Sequence, residues 1–395
     1  MSLRQLPERI EQYAVEIIYG RRRTWYDRVF RVLLHVLSHL YRIAVQFRLS
    51  LYRHNILKRQ SIGSSVVSVG NLTVGGTGKT PVVELLAHTL SKRGRKVAIL
   101  SRGYRSKPRT LAEKIRGFFS QREYRIPPKV VSDGTKVLLD SRNAGDEPYM
   151  LARNLVGTEE VPGVAVLVDK DRVHAGRYAV RRFQSDTLLL DDGFQYMQLR
   201  PRINIVLVDT TNPFHNHETL PIGLLREPLE NIARADYIFL TKSNGRESLR
   251  HLEAFLHRHN PHCPIIECNH TSRHLADLWS GEVHGLEILK GKKIGTVCGI
   301  AVPESFENYI KDLGGSIVYR KRFVDHHRYT PEEMEDFFKA SLEAGAELLV
   351  TTEKDAVRIP RLDTKGIPFL FLRVEISIIR GQEHFEECIA SICMK

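Results

Sequence analysis

Lys79 and Thr80 close a glycine-dense run, Gly70-Asn71-Leu72-Thr73-Val74-Gly75-Gly76-Thr77-Gly78-Lys79-Thr80-Pro81. These residue types in this order suit phosphate binding. Gly75, Gly76 and Gly78 let the backbone come close to an anion and turn its N–H groups inward. A lysine placed after the last glycine reaches β- and γ-phosphates, and the hydroxyl that follows it ligates Mg²⁺. The strict pattern has glycine where Thr73 stands, so the match is looser than the rule. Its flanks restore the signal: a β-branched run at 66–69 precedes it and an apolar stretch at 82–90 follows it. Strand, loop and helix in that order predict a phosphate cradle over Thr73, Val74, Gly75, Gly76, Thr77, Gly78, Lys79 and Thr80, with the helix N-terminus adding partial positive charge. The plain alternative is a glycine-rich turn.

A second apolar run, Thr187-Leu188-Leu189-Leu190, ends in Asp191-Asp192-Gly193. Two adjacent carboxylates repel unless a cation lies near, so Asp191 and Asp192 are candidate Mg²⁺ partners of Thr80. The bare alternative is a turn acid before glycine. Asp146 and Glu147 precede Pro148 and an apparent helix at 149–155, where N-terminal capping is the simpler role. His326 and His327 follow a strand-like run. Histidine suits proton transfer near neutral pH, although paired loop histidines are commonly plain surface residues. Arg172, Arg226 and Glu227 are candidate groups for holding an anion or its partner, and lone arginines are usually solvated.

These residues must be positioned by a frame, and apolar runs alternating with helical stretches predict an α/β fold. Strands are expected at 66–70, 96–100, 164–168, 187–191, 204–208 and 236–240, forming a P-loop NTPase-like parallel sheet whose ligands bind beyond the strands' carboxyl ends. A second, smaller α/β unit starts near Gly291. It has strands at 293–298, 316–319 and 348–351, a helix at 303–313, and a helix at 331–344 that Thr330 caps with Glu333 at the capping-box position. The division expected is 1–60, an N-terminal helical segment; 61–275, the phosphate-loop domain; and 276–395, the second α/β domain, joined through a polar stretch at 270–290. Residues 105–129 are basic and weakly periodic. They read as an inserted loop with a short helix at 111–119.

The chain has 395 residues, 42% hydrophobic, with formal charge +13. Such a balance favours anionic partners: nucleic acid, an anionic membrane face or phosphorylated substrates. Arginines crowd the first sixty residues. No nucleic-acid reader fold or aromatic interleaving accompanies them, so nucleic acid is not an expected partner. Residues 26–52 place Arg31, His35, Ser38, His39, Arg42 and Gln46 on one helical stripe and apolar residues over the rest. A spanning helix needs about 20 mostly apolar residues, and each basic group at mid-bilayer costs about 3 kcal/mol. An amphipathic helix lying on a membrane is expected instead, with the stripe among the head groups. The alternative is an ordinary core-packing helix. The opening residues carry no uninterrupted apolar core, so no secretory signal is expected. The 5 cysteines are an odd, sparse set that suits a reducing compartment. Cys263 and Cys268 near His262 and His270 lack finger spacing and are expected to be buried thiols.

Taken together the motifs resemble the tetraacyldisaccharide 4′-kinase family. The likeness is carried by the 70–81 run, Ser101-Arg102-Gly103-Tyr104, Gly145-Asp146-Glu147, Asp191-Asp192-Gly193-Phe194-Gln195, Leu225-Arg226-Glu227-Pro228, Asp325-His326 and Thr352-Glu353-Lys354-Asp355, in the family's order. It implies transfer of the γ-phosphoryl group of ATP, with Mg²⁺, to the 4′-hydroxyl of a tetraacyldisaccharide 1-phosphate. The product is the 1,4′-bisphosphate of lipid A biosynthesis, made at the cytoplasmic face of the bacterial inner membrane. By motif position Asp146 resembles the family's base and His326 its partner. Asp191 and Asp192 resemble the Mg²⁺-associated acids, and Gln195, Arg172, Arg226 and Glu227 further active-site residues. Because His326 lies in the second unit, this reading expects the two domains to close on each other. Tyr196 stands where the family usually has histidine, Leu224-Leu225 where a Gly-Pro-Leu run is common, and the stretch after about Ser377 reads as additional. The rival reading is a nucleotide-switch or metallochaperone-type NTPase with no lipid acceptor.

Overall fold

The computed structural model describes residues 24–103, 126–245 and 248–394. Tyr104, the helix expected at 111–119 and most of the 105–129 insertion lie outside the described residues, as do the arginines at 21–23. In chain order the strands are β1 (Ser65–Asn71), β2 (Val97–Ser101), β3 (Lys129–Asp133), β4 (Ala165–Val168), β5 (Thr187–Asp191), β6 (Ile203–Asp209), β7 (Tyr237–Thr241), β8 (Ile265–Asp277), β9 (Val283–His284), β10 (Lys293–Cys298), β11 (Ser316–Arg322), β12 (Leu348–Thr352) and β13 (Phe369–Arg380). The chain divides into two compact units assembled from separated stretches. One takes residues up to Lys79, 190–269 and 378 onward; the other takes 80–189 and 270–377.

In the first unit β1 pairs in parallel with β6, Val67 opposite Ile203 through Asn71 opposite Leu207. β6 pairs in parallel with β7, and β7 with the start of β8. A parallel sheet is covered on both faces, which is why β1 and β7 are buried at every position after the first. The core on one side holds Leu72, Phe194, Val206, Phe214, Leu225 and Ile238. The helix Gln382–Cys393 belongs to this unit and buries Phe385, Cys388, Ile389 and Ile392. The stretch read as additional therefore carries a core face.

The second unit contains β2 parallel to β4, and β10 parallel to both β11 and β12, with β12 parallel to β13. β3 runs antiparallel to β4, a departure from the all-parallel order expected. Phe337, Phe338, Phe369 and Met334 form the centre of one core. The helix Pro331–Glu343 starts as predicted: the Glu333 amide donates to Thr330 Oγ1 at 3.2 Å, and Glu333 Oε2 accepts from the Thr330 amide at 2.9 Å.

The N-terminal helix, Trp25–Arg53, belongs to the first unit. Among the described residues no helix is long and apolar enough to cross a membrane. Its docked stripe is Asp27, Leu34, Ser38, Leu49 and Tyr52. Ser38 meets Thr219 side chain to side chain at 2.8 Å, Arg42 pairs with Glu230 at 2.9 Å, and the Tyr41 hydroxyl donates to the Arg226 carbonyl at 2.9 Å. Part of the polar stripe expected among head groups thus faces protein. Val29, Val32, Val36, Leu40, Ile43 and Phe47, each more than half exposed, line the helix away from it.

Candidate active site

The phosphate loop runs from the end of β1 to the helix Lys79–Lys92. Its backbone rests on the 224–226 segment, with the Val74 amide donating to the Leu224 carbonyl at 2.7 Å and the Arg226 amide to the Leu72 carbonyl at 2.7 Å. The Thr241 hydroxyl at the end of β7 donates to the Thr77 carbonyl at 2.8 Å. Gly75 and Gly78 take φ of 120° and 77°, a region that disfavours residues with a Cβ. A Cβ on Gly75 or Gly76 would meet nothing within 4 Å. The face of the loop is open at the two glycines whose amides are to hold an anion.

Lys79 is aimed into a ring of first-unit side chains. Its Nζ lies 3.3 Å from Asn71 Oδ1 and 3.7 Å from Asp192 Oδ1. Arg226 Nη1 donates to both Asp192 oxygens at 2.8 Å. Gln195 Nε2 donates to the Asn71 carbonyl at 2.9 Å. The structure therefore gathers Asn71, Lys79, Asp192, Gln195 and Arg226. Asn71 was not singled out by itself from the sequence; its place at the carboxyl end of a parallel strand was the available signal. Asp191 is buried at the end of β5, and Asp192 sits at φ 54°. The bend turns successive acids to different environments.

Glu227 is turned elsewhere. It is buried and accepts from Arg234 Nη2 at 2.5 Å and Asn231 Nδ2 at 3.0 Å. Burial pushes the Glu227 carboxyl up and the Arg234 guanidinium down, both against the charged form. Arg234 also lies over the Phe194 ring, 4.0 Å from its centroid. This pair braces the segment that carries Arg226. Phe194 in turn explains Gly70, where a Cβ would lie 2.7 Å from both Phe194 N and Phe194 Cβ. Gly70→Ala is expected to cost about 1–3 kcal/mol through overpacking, read by urea unfolding. An unchanged midpoint would show that the backbone gives way freely.

In the second unit Asp146 opens the helix Asp146–Asn154, and the N-cap is Gly145. The simpler capping role therefore falls away for Asp146. Its carboxylate is gripped from two sides: Arg328 Nη2 donates to Oδ1 at 2.8 Å, and Arg358 Nε to Oδ2 at 2.8 Å. His326 Nδ1 lies 3.7 Å from Oδ2, beyond hydrogen-bond range, and accepts from Arg358 Nη2 at 3.0 Å. Burial favours the neutral acid at Asp146, but the hydrogen-bonding and positive groups around it outweigh burial and hold the carboxyl below its usual range. The backbone at His326 is left-handed, φ 63°, a strained state that is held by its surroundings. His327 has a different occupation, accepted by Glu333 Oε2 at 2.8 Å and stacked 4.4 Å from Phe323. Arg328 and Arg358 were missed from the sequence because they stand 182 and 212 residues from Asp146.

Arg172 is buried at the first turn of the helix Arg172–Phe183, capped by Asp171, whose carboxylate accepts from the Val173 and His174 amides at 3.1 Å. Burial pushes the Cys263 and Cys268 thiols up to about 12. They remain protonated and are poor metal ligands. Among the described residues no group of three or more His, Cys, Asp or Glu could hold a metal by itself.

The model of the family described as tetraacyldisaccharide-1-P 4′-kinase matches residues 30–394, so the stretch after Ser377 lies within the family's extent. The tetraacyldisaccharide 4′-kinase of Halothermothrix orenii is 34% identical over 387 residues, covering 94% of this chain and 95% of that protein. That of Syntrophus aciditrophicus is 36% identical over 386 residues, covering 93% and 96%. The crystal structure of LpxK from Aquifex aeolicus in complex with ATP superposes with a TM-score of 0.70 at 28% identity, covering 92% of this chain and all of that one. A phosphate loop on a parallel sheet, the acids beside it and relatives matched along nearly their whole length lead to one statement: the chain belongs to the tetraacyldisaccharide-1-P 4′-kinase family.

Proposed function

We propose that this protein transfers the γ-phosphoryl group of ATP to the 4′-hydroxyl of a tetraacyldisaccharide 1-phosphate, giving the 1,4′-bisphosphate. The observation that carries the reading is the open-faced loop with Lys79 aimed across it toward Asn71 and Asp192. The residues present fit a triphosphate. The Thr77 hydroxyl is buried with no hydrogen-bond partner among the described residues, and a phosphate oxygen would satisfy it. Thr80, Asp191 and Asp192 each offer only oxygen donors, the chemistry that a hard cation such as Mg²⁺ would take. Bound there, Mg²⁺ supplies neutralisation of phosphate charge.

The chain's own residues do the rest. The loop amides and Lys79 stabilise charge on the γ-phosphoryl oxygens. Arg226 keeps Asp192 in place. The sugar hydroxyl oxygen bonds to the γ-phosphorus, the bond to the β,γ-bridging oxygen breaks, and ADP leaves with that electron pair. The hydroxyl proton passes to the Asp146 carboxylate. A lowered pKa makes Asp146 a weak base, and phosphoryl transfer through a loose transition state needs a positioned acceptor more than a strong one. Gln195 and Glu227 contribute by holding neighbouring groups, and Arg172 is proposed as a further active-site residue.

The exposed apolar face of Trp25–Arg53 would seat the protein on the cytoplasmic face of the inner membrane, where an acylated acceptor resides. Replacing Leu40, Ile43 and Phe47 together by aspartate should abolish flotation with anionic liposomes while leaving the melting temperature within a few degrees, since all three are exposed. Flotation equal to wild type would exclude this face as the seat. The function itself is tested by incubating the protein with γ-labelled ATP and tetraacyldisaccharide 1-phosphate. Label in the lipid is expected, and label only in free phosphate would overturn the reading.

A further inference from the structure

Arg358 is the most enclosed of the arginines around Asp146, with 1% of its side chain exposed. One planar guanidinium serves four partners, one of them the Gly299 carbonyl, which accepts from Nη1 at 3.5 Å. Nε donates to Asp146 Oδ2 at 2.8 Å, Nη2 to His326 Nδ1 at 3.0 Å, and Nη1 to Asp355 Oδ1 at 3.2 Å. Asp355 is itself fixed. It accepts from the Tyr329 hydroxyl at 2.9 Å, the Gly299 amide at 3.1 Å and the Thr352 hydroxyl at 2.6 Å. The guanidinium cannot slide without breaking this set. A guanidinium has donors only, so a hydrogen bond from Arg358 requires His326 Nδ1 to be unprotonated. The proton of a neutral imidazole then sits on Nε2.

We propose that Arg358 is a positioning residue that holds Asp146 as the carboxylate and fixes His326 as the neutral Nε2–H tautomer. The inference rests on the assignment of Asp146 as the base. It changes what the pair does. Protonation of His326 at Nδ1 would set an N–H against a guanidinium, so Asp146 does not hand its proton to that nitrogen. Asp146 accepts the proton and His326 presents Nε2–H as a hydrogen-bond donor. Among the described residues the charged and titratable groups around Asp146 are Arg328, Arg358 and His326, with Asp355 and Tyr329 behind Arg358. Removing Arg358 takes away one of the two positive charges that oppose the effect of burial, so the Asp146 carboxyl titrates at higher pH.

The test uses the full chain, with R358Q and R358K, in assays of lipid phosphorylation across pH. It adds nitrogen NMR of histidine-labelled wild type, with the His326 signals assigned by their loss in H326N. R358Q should lower kcat by about 10²-fold, the usual consequence of misplaced reacting groups, with KM for ATP unchanged and the acidic limb of kcat moved to higher pH. R358K keeps the charge but not the fork. It should return the limb toward wild type while the rate stays low. His326 of wild type should carry its proton on Nε2. A wild-type acidic limb in R358Q, or a neutral His326 protonated on Nδ1, would overturn the proposal. If R358Q does not fold, R358K and the wild-type tautomer carry the decision. Absence of lipid phosphorylation by wild type would instead defeat the functional reading, and the tautomer would still report on Arg358.

Discussion

Lys79→Ala should lower kcat for lipid phosphorylation by about 10²–10³-fold, the loss typical when one electrostatic donor to a developing anion is removed. In the first unit the Lys79 amine is the cation that reaches across the open face of the loop, 3.3 Å from Asn71 Oδ1 and 3.7 Å from Asp192 Oδ1. Arg226 holds Asp192 from the other side with both contacts at 2.8 Å, so Asp192 keeps a partner in the variant. The fold should be little affected, because a partly exposed ion pair contributes about 1 kcal/mol or less. ATP affinity should weaken, since the loop amides remain but the ammonium charge is gone. Steady-state kinetics with an ATP titration and a thermal melt check the three statements together. Turnover within a few-fold of wild type would remove Lys79 from the chemistry.

The second large effect is expected at Asp146. Asp146→Asn should lower kcat by about 10²–10⁴-fold, the range for loss of a general base. The ATP affinity of this variant should survive better than that of Lys79→Ala. Asparagine preserves size but replaces one acceptor oxygen by an NH₂, which faces a guanidinium donor and cannot satisfy it. Breaking one partner of a buried charge pair costs about 3–5 kcal/mol. The cost should fall toward the lower end because Arg358 keeps Asp355. Single-turnover phosphorylation separates the two consequences, since a folded, ATP-bound variant with a wild-type chemical step would end the assignment of Asp146 as base.

Much of this frame is legible before any coordinates. Aliphatic runs such as 187–190 mark strands that are buried along their whole length. Thr330 and Glu333 mark a helix start because their side chains can satisfy each other's amides. Three features escaped. β8 carries Asn269, His270, Thr271 and Arg273, whose polarity reads as a linker although the backbone stays extended. The final helix hides four apolar residues within a polar-looking stretch. The docked stripe of the N-terminal helix is partly polar, because Thr219 and Asn231 offer partners that only tertiary structure reveals.

The site divides in the same way. Glycines, the lysine and the paired acids announce a phosphate cradle through local spacing, because the loop's function is local. The clamp on Asp146 is not local. Arg328 and Arg358 are ordinary arginines in sequence and acquire meaning only when the 324–328 loop and the turn after the short helix Glu353–Ala356 bring them to a carboxylate.

The Tyr41 hydroxyl ends on the Arg226 carbonyl at 2.9 Å, and the Arg226 guanidinium ends on Asp192. The N-terminal helix is thus a strut as well as the foot proposed above. A chain trimmed to start after Arg53 would lose the prop behind Arg226 together with the proposed seat on the bilayer. Slow turnover by such a trimmed version, even toward a detergent-dispersed acceptor, would follow from a slackened Arg226–Asp192 pair and not from poor delivery of the lipid.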